Sequence, residues 1–172
     1  MIESMNRAML VGSIGAGKST LTHALLGSDV KAVKTQTLTY YDWIVDTPGE
    51  YTENPLFYKS IMATALEVTH IIYLQDATNR KNIFPPGFSL GIPKHPIGII
   101  TKADADGADI LRATRQLKQV ITKGPIIVSS AYTGKGLEEI RKLVTLSSVE
   151  EMKEYTLSRL SEDVIYHETL YN

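Results

Sequence analysis

Gly12-Ser13-Ile14-Gly15-Ala16-Gly17-Lys18-Ser19 reads G-x-x-x-x-G-K-S, and it lies between two segments of opposite character. Before it, Ala8–Val11 is a short unbroken apolar run, the pattern of a fully buried strand. After it, Lys18–Leu26 reads as a helix, and Gly27 suits its C-cap. A strand, a glycine-rich turn and a helix in that order predict a phosphate-binding loop. Glycines let the backbone close around an anion with its N–H groups turned inward. The helix N-terminus adds partial positive charge. Lys18 is the cation aimed at the terminal phosphates, and the Ser19 hydroxyl is placed to ligate Mg²⁺. Gly12, Gly15, Ala16, Gly17, Lys18, Ser19 and Thr20 are therefore the expected nucleotide-contacting residues of this loop.

Outward from the loop, short apolar runs alternate with helical periods, which predicts βα units around a mostly parallel sheet. Residues 38–41 and 43–46 read as a strand pair. Asn54 and Pro55 suit the cap and first position of a helix with Phe57, Ile61, Ala65 and Leu66 on one face. Residues 71–74, 97–100 and 126–128 read as buried strands. Ile110, Ala113, Leu117 and Ile121 stripe one helix, and Leu137, Ile140 and Val144 stripe the next. The expected fold class is α/β, a P-loop domain over residues 1–146 with helices flanking the sheet. Residues 147–172 are expected as a C-terminal helix or tail, because no strand pattern follows Val144. Segment 78–95 holds three prolines and two glycines where a crossover helix would stand, so a shortened or irregular connection is expected there. Within it, residues 83–88 are expected as a mobile or partner-binding loop with exposed aromatics.

A second cluster of chemistry follows the first helix. Asp46 ends the apolar run Trp43-Ile44-Val45 and opens Asp46-Thr47-Pro48-Gly49. A carboxylate at that strand end is where a group must sit to hold Mg²⁺ and its waters, and the Gly49 amide is placed for the γ-phosphate. Between the two clusters, Thr35 is expected to complete the Mg²⁺ shell, with Thr37 as its rival. Two further strand ends carry Thr101-Lys102-Ala103-Asp104 and Ser129-Ser130-Ala131. Open α/β sheets bind ligands at that face. An Asp104 carboxylate accepts from the two adjacent N–H donors of guanine, a pair that adenine lacks. The Lys102 stem is expected to flank the base plane and the Ala131 amide to donate to O6, with Thr101 and Ser130 also among the expected nucleotide-binding residues.

With these motifs the chain as far as about Leu146 resembles the Ras-like, translation-factor-related G-domain family, whose N/TKxD motif stands here as TKAD. The Asn-to-Thr change removes a side-chain amide that ties this loop to the base. More narrowly, GSIGAGKSTL, Lys34-Thr35-Gln36 and Asp46-Thr47-Pro48-Gly49-Glu50-Tyr51 resemble the ethanolamine/propanediol-utilisation family (EutP/PduV). That resemblance implies a bacterial cytoplasmic protein tied to catabolic microcompartments, with a shell or enzyme partner. It also implies ATP-dependent acetate phosphorylation as a rival to GTP hydrolysis. Glu50 stands where Ras-like hydrolases carry a Gln that orients the attacking water, and Ile14 fills the middle of the phosphate loop. With Lys18 and Glu50 as the expected catalytic residues, slow turnover is implied.

Composition narrows the classes. The chain has 172 residues, a net charge of −1 and no cysteine, which excludes thiol catalysis and cysteine-ligated zinc. No basic excess points to nucleic acid or a membrane surface. The start has no signal-peptide pattern, and no apolar run approaches the roughly 20 residues that span a bilayer. The expected cofactors are Mg²⁺ and GTP/GDP, with ATP as the alternative. Three readings stay open: a guanine-nucleotide GTPase, a phosphotransferase moving the γ-phosphoryl of ATP to acetate, and a microcompartment-binding module. Arg80, Lys81 and Lys94 are the candidate cations for a carboxylate acceptor in the second.

Overall fold

The structure, a computed structural model, describes residues 5–27, 31–35 and 37–170. Gln36, part of the family-like stretch, lies outside the described residues. In chain order the strands are β1 (Ala8–Val11), β2 (Val33–Lys34), β3 (Thr39–Tyr40), β4 (Ile44–Asp46), β5 (His70–Asp76), β6 (His95–Thr101), β7 (Lys123–Val128) and β8 (Val164–Glu168). The α-helices are α1 (Lys18–Leu26), α2 (Glu50–Glu53), α3 (Tyr58–Ala65), α4 (Ile110–Val120), α5 (Leu137–Thr145) and α6 (Val149–Ser158). All eight strands form one sheet in the order β2-β3-β4-β1-β5-β6-β7-β8. The five central strands run parallel, and both margins are antiparallel.

Alternation along the strands divides the core. On β1, Met9 and Val11 join one cluster with Ile61, Tyr73 and Leu117, under α3 and α4. Ala8 and Leu10 join the other with Leu21, Leu25 and Ile140, under α1 and α5. Central strands buried on both faces must be apolar throughout, which is why they read as unbroken runs. This layered arrangement leaves the C-terminal ends of the parallel strands as a rim, where the loops carrying the expected motifs gather.

Four expectations change. Asn54 does cap a helical turn, its Oδ1 accepting from Leu56 N at 3.0 Å, but a 3₁₀ turn (Pro55–Phe57) intervenes before α3. Leu66, placed on the inner face by periodicity, falls at the α3 C-cap and is 80% exposed. Segment 78–95 has no α-helix, as its prolines require, yet its aromatics are not displayed to partners. Phe84 is 6% exposed and meets Tyr73 edge-on at 5.5 Å, with Phe88 also at 5.5 Å. These rings cover the sheet face that a crossover helix would otherwise have covered. Gln116 fixes the loop by donating to the carbonyls of Arg80 and Lys81.

The fourth change concerns the C-terminal segment. Its helix is present as α6, and β8 then pairs antiparallel with β7, Val164 opposite Ile127. The residues of β8 are mostly half-buried, because an edge strand covered on one side carries no long apolar run. That is why its sequence shows no strand pattern.

Candidate functional site

The phosphate loop takes the shape its glycines permit. Gly15 and Gly17 have φ of 78° and 97°, left-handed values that a side chain would strain, and Gly17 is the N-cap of α1. Lys18 is buried, and its ammonium donates to the carbonyls of Gly12 and Ser13, both at 2.9 Å. These bonds use two of three ammonium donors and hold the third for an anion in the loop. Burial lowers the Lys18 pKa, and the nearby carboxylates of Asp46 and Glu53 oppose that shift.

At the end of β4, Asp46 Oδ2 accepts from the Ser19 hydroxyl at 3.1 Å. Its Oδ1 is buried with no hydrogen-bond partner among the described residues. Burial raises the Asp46 pKa, while the Ser19 bond and the Lys18 charge pull it back. A buried acceptor left open beside a serine hydroxyl is a donor set that fits Mg²⁺, an oxygen-seeking cation. Thr47 fixes this strand end through a 2.7 Å bond to the Leu10 carbonyl.

These groups line a cavity of about 620 Å³ that also takes in Ile14, Thr37, Thr39 and Gly49. Thr35 is not brought to it. Its hydroxyl accepts from Leu38 N at 2.9 Å and donates to the Leu38 carbonyl at 3.0 Å, closing its own turn. Thr37, the rival at sequence level, is the one that reaches the cavity. Glu50 is exposed at the start of α2, and it is Glu53, one turn on, that approaches the loop. Glu53 Oε1 accepts from Ile14 N at 3.1 Å. Gly49 is pressed so closely on the loop that a Cβ there would lie 2.6 Å from Ile14 N.

A second cavity of about 230 Å³ adjoins the first, lined by Gly17, Leu21, Thr101, Lys102, Asp104 and Tyr132 among others. Ser130 donates to Asp104 Oδ1 at 2.7 Å, so the two base-site strand ends lock together and leave Asp104 Oδ2 for a ligand. Thr101 donates to the Ala16 carbonyl at 2.7 Å. The missing asparagine is therefore replaced by a hydroxyl that fastens this loop to the phosphate loop. Lys102 sits at φ 60° and donates to Gly15 O at 2.6 Å and Asp76 Oδ2 at 2.8 Å. Burial alone would raise the Asp76 pKa, but the bonds from Lys102 and Thr78 outweigh it and hold that carboxyl low.

The ethanolamine utilisation–propanediol utilisation model, PduV-EutP, matches residues 5–146. The chain belongs to the PduV-EutP family. A relative from Escherichia coli (strain K12), named "Probable acetate kinase EutP", is 32% identical over 155 residues, 88% of this chain and 98% of that one. The "Propanediol utilization protein PduV" of Citrobacter freundii is 30% identical over 136 residues, 79% of this chain and 91% of that one. Among solved structures, the FeoB G-domain from Methanococcus jannaschii superposes with a TM-score of 0.57 at 20% identity, covering 86% of this chain and 99% of that one. A GDP-bound mutant of the S. thermophilus FeoB G-domain gives a TM-score of 0.62 at 18% identity, covering 85% of this chain and 62% of that one. The fold of this PduV-EutP chain is thus the α/β P-loop fold of a G-domain.

Three residues of the candidate site were not picked out from the sequence. Asp76 is a strand-end carboxylate like Asp46, and the same rule would have found it. Tyr132 follows Ala131 directly, is 84% exposed and lines both cavities. Glu53 gave no signal of its own, because only the helical turn of α2 carries it to Ile14.

Proposed function

We propose that this PduV-EutP chain is a Mg²⁺-dependent guanine-nucleotide-binding protein that hydrolyses GTP slowly, acting in bacterial ethanolamine or propanediol utilisation. The observation that carries the reading is the Ser130–Asp104 lock at the 230 Å³ cavity, open to the phosphate cavity through Gly17 and Lys102. Asp104 Oδ2 accepts from the guanine edge, Lys102 and Tyr132 flank the ring, and Thr101 fixes the distance between base and phosphates. The phosphate-loop amides and Lys18 then hold the phosphate chain, and Ser19 and Asp46 hold Mg²⁺. Held by Ser19 and Asp46, Mg²⁺ would supply positive charge to the phosphate chain. Gly49 and Thr37 line the γ-phosphate end, and the carboxylate nearest to it, Glu53, is engaged by the Ile14 amide. That arrangement supports slow turnover.

Transfer to acetate, suggested by the name that the relatives carry, finds less support. Arg80, Lys81 and Lys94 do not line the phosphate cavity, and Lys102 is already engaged by Asp76. An acetate ion at the γ-phosphate end would meet the like charge of Glu53, and the cation there, Lys18, is the group that holds the phosphates. The module reading loses its motive, since Phe84 and Phe88 pack against the core. The test is an assay of phosphate release from GTP and ATP, run with hydroxylamine trapping of acetyl phosphate in the presence of acetate. Slow phosphate release from GTP without acetyl hydroxamate is expected. Robust hydroxamate that vanishes in Lys18→Ala would make acetate the acceptor.

A further inference from the structure

Glu53 occupies an unusual place. The base cavity opens at Gly17, so a phosphate chain entering the loop from that side ends at Ile14 and Gly49. At that far end the Ile14 amide, one of the N–H groups that would face a terminal phosphate, is already accepted by the Glu53 carboxylate at 3.1 Å. One N–H serves one strong acceptor. A γ-phosphate arriving there competes with Glu53 for the same hydrogen and also meets its charge at close range.

Resting on the nucleotide reading above, we infer that Glu53 is a specificity-determining residue that stands in for the γ-phosphate, favouring the diphosphate state and releasing Ile14 when a triphosphate binds. The position of Glu53 in the chain gives that release a mechanical route. Glu53 ends α2, Asn54 caps the next turn, and α3 follows at Tyr58. At the other end of α2, Gly49 is held against Ile14 with no room for a Cβ. Loss of the Glu53 contact therefore frees one end of α2 while the Gly49 end stays docked, and the displacement passes into α3. The pair also explains a feature of Lys18, whose environment includes Glu53 as well as Asp46 as compensating charge.

The test uses the full chain with Mg²⁺, titrated with GDP and with a non-hydrolysable GTP analogue, as wild type, Glu53→Gln and Glu53→Ala. Because the carboxylate is exposed, removal of its charge is expected to raise the triphosphate-to-diphosphate affinity ratio about twofold to fivefold, with GDP affinity unchanged. The gap between wild type and Glu53→Gln should narrow at high salt, which a purely structural contact would not do. A ratio equal to that of wild type, with GDP still bound, overturns the inference and leaves the nucleotide reading standing. An unchanged ratio with lower turnover assigns Glu53 to the attacking water and overturns it equally. Failure of the wild type to bind either nucleotide removes both.

Discussion

Thr101 donates its hydroxyl hydrogen to the Ala16 carbonyl at 2.7 Å, so the loop proposed to read the base is fastened to the glycine-rich loop proposed to hold the phosphates. Both partners are buried. Thr101→Val keeps the shape and removes the donor, leaving the Ala16 carbonyl unpaired at a cost of about 1–3 kcal/mol. Nucleotide affinity is expected to fall about tenfold, for guanine and adenine nucleotides alike, because the bond touches neither base. Thr101→Ser should restore it. Titration calorimetry on the three proteins checks this, and a loss confined to guanine nucleotides would contradict it.

Asp46 is held in a strained balance of charge. Its folded pKa lies above its unfolded value because of burial, so its ionised form opposes folding at neutral pH and the penalty is relieved as pH falls through the folded pKa. Asp46→Asn is therefore expected to raise the melting temperature of the metal-free protein at pH 7. The same variant should lose the Mg²⁺-dependent gain in nucleotide affinity, by about tenfold or more. Thermal melts and titrations with and without Mg²⁺ test the two halves. A variant that melts lower without metal and keeps its Mg²⁺ response would contradict the assignment.

His70 supplies a pH dependence far from the site. Its ring is buried between Thr69 Oγ1 at 2.8 Å and the Leu146 carbonyl at 2.9 Å, with His95 at 5.0 Å. Burial, reinforced by His95, lowers its pKa to about 4. A depressed imidazole contributes stability above its unfolded pKa and loses it as pH falls towards the folded value. Between pH 6.5 and about 4 the protein should lose stability on the order of 3 kcal/mol from this group. His70→Gln should flatten that limb of a plot of denaturation midpoint against pH. An unchanged limb would show that the loss comes from elsewhere.

Most of the architecture was legible in the sequence, because strands buried on both faces and helices with one apolar face carry strong periodic signals. The phosphate loop was legible because close anion binding demands glycine and lysine at fixed spacing. What was not legible depends on contacts between distant segments. β8 reads as a tail since an edge strand needs little apolar residue content, and it is fixed by pairing with β7. Phe84 and Phe88 look exposed beside two prolines until the uncovered face around Tyr73 is known. Thr35 was preferred over Thr37 from the sequence, and the turn that the Thr35 hydroxyl closes with Leu38 could not be read there. The choice of Glu50 followed family spacing, whereas the α2 turn presents Glu53.

Asp104 supports a sharper test of base selection. Asp104→Asn keeps an oxygen for the Ser130 hydroxyl but replaces an acceptor at the guanine edge with a donor. GDP affinity is expected to fall about tenfold to a hundredfold while xanthosine diphosphate gains. Equal affinity of the variant and wild type for GDP would place the base elsewhere.

The central claim is that the cavity beside Asp104 selects guanine. Its most direct test is a side-by-side titration of the wild-type protein with GDP and ADP in the presence of Mg²⁺. Selection through the paired guanine donors predicts GDP binding tighter by about tenfold or more. Equal affinities, or a preference for ADP, would contradict the claim.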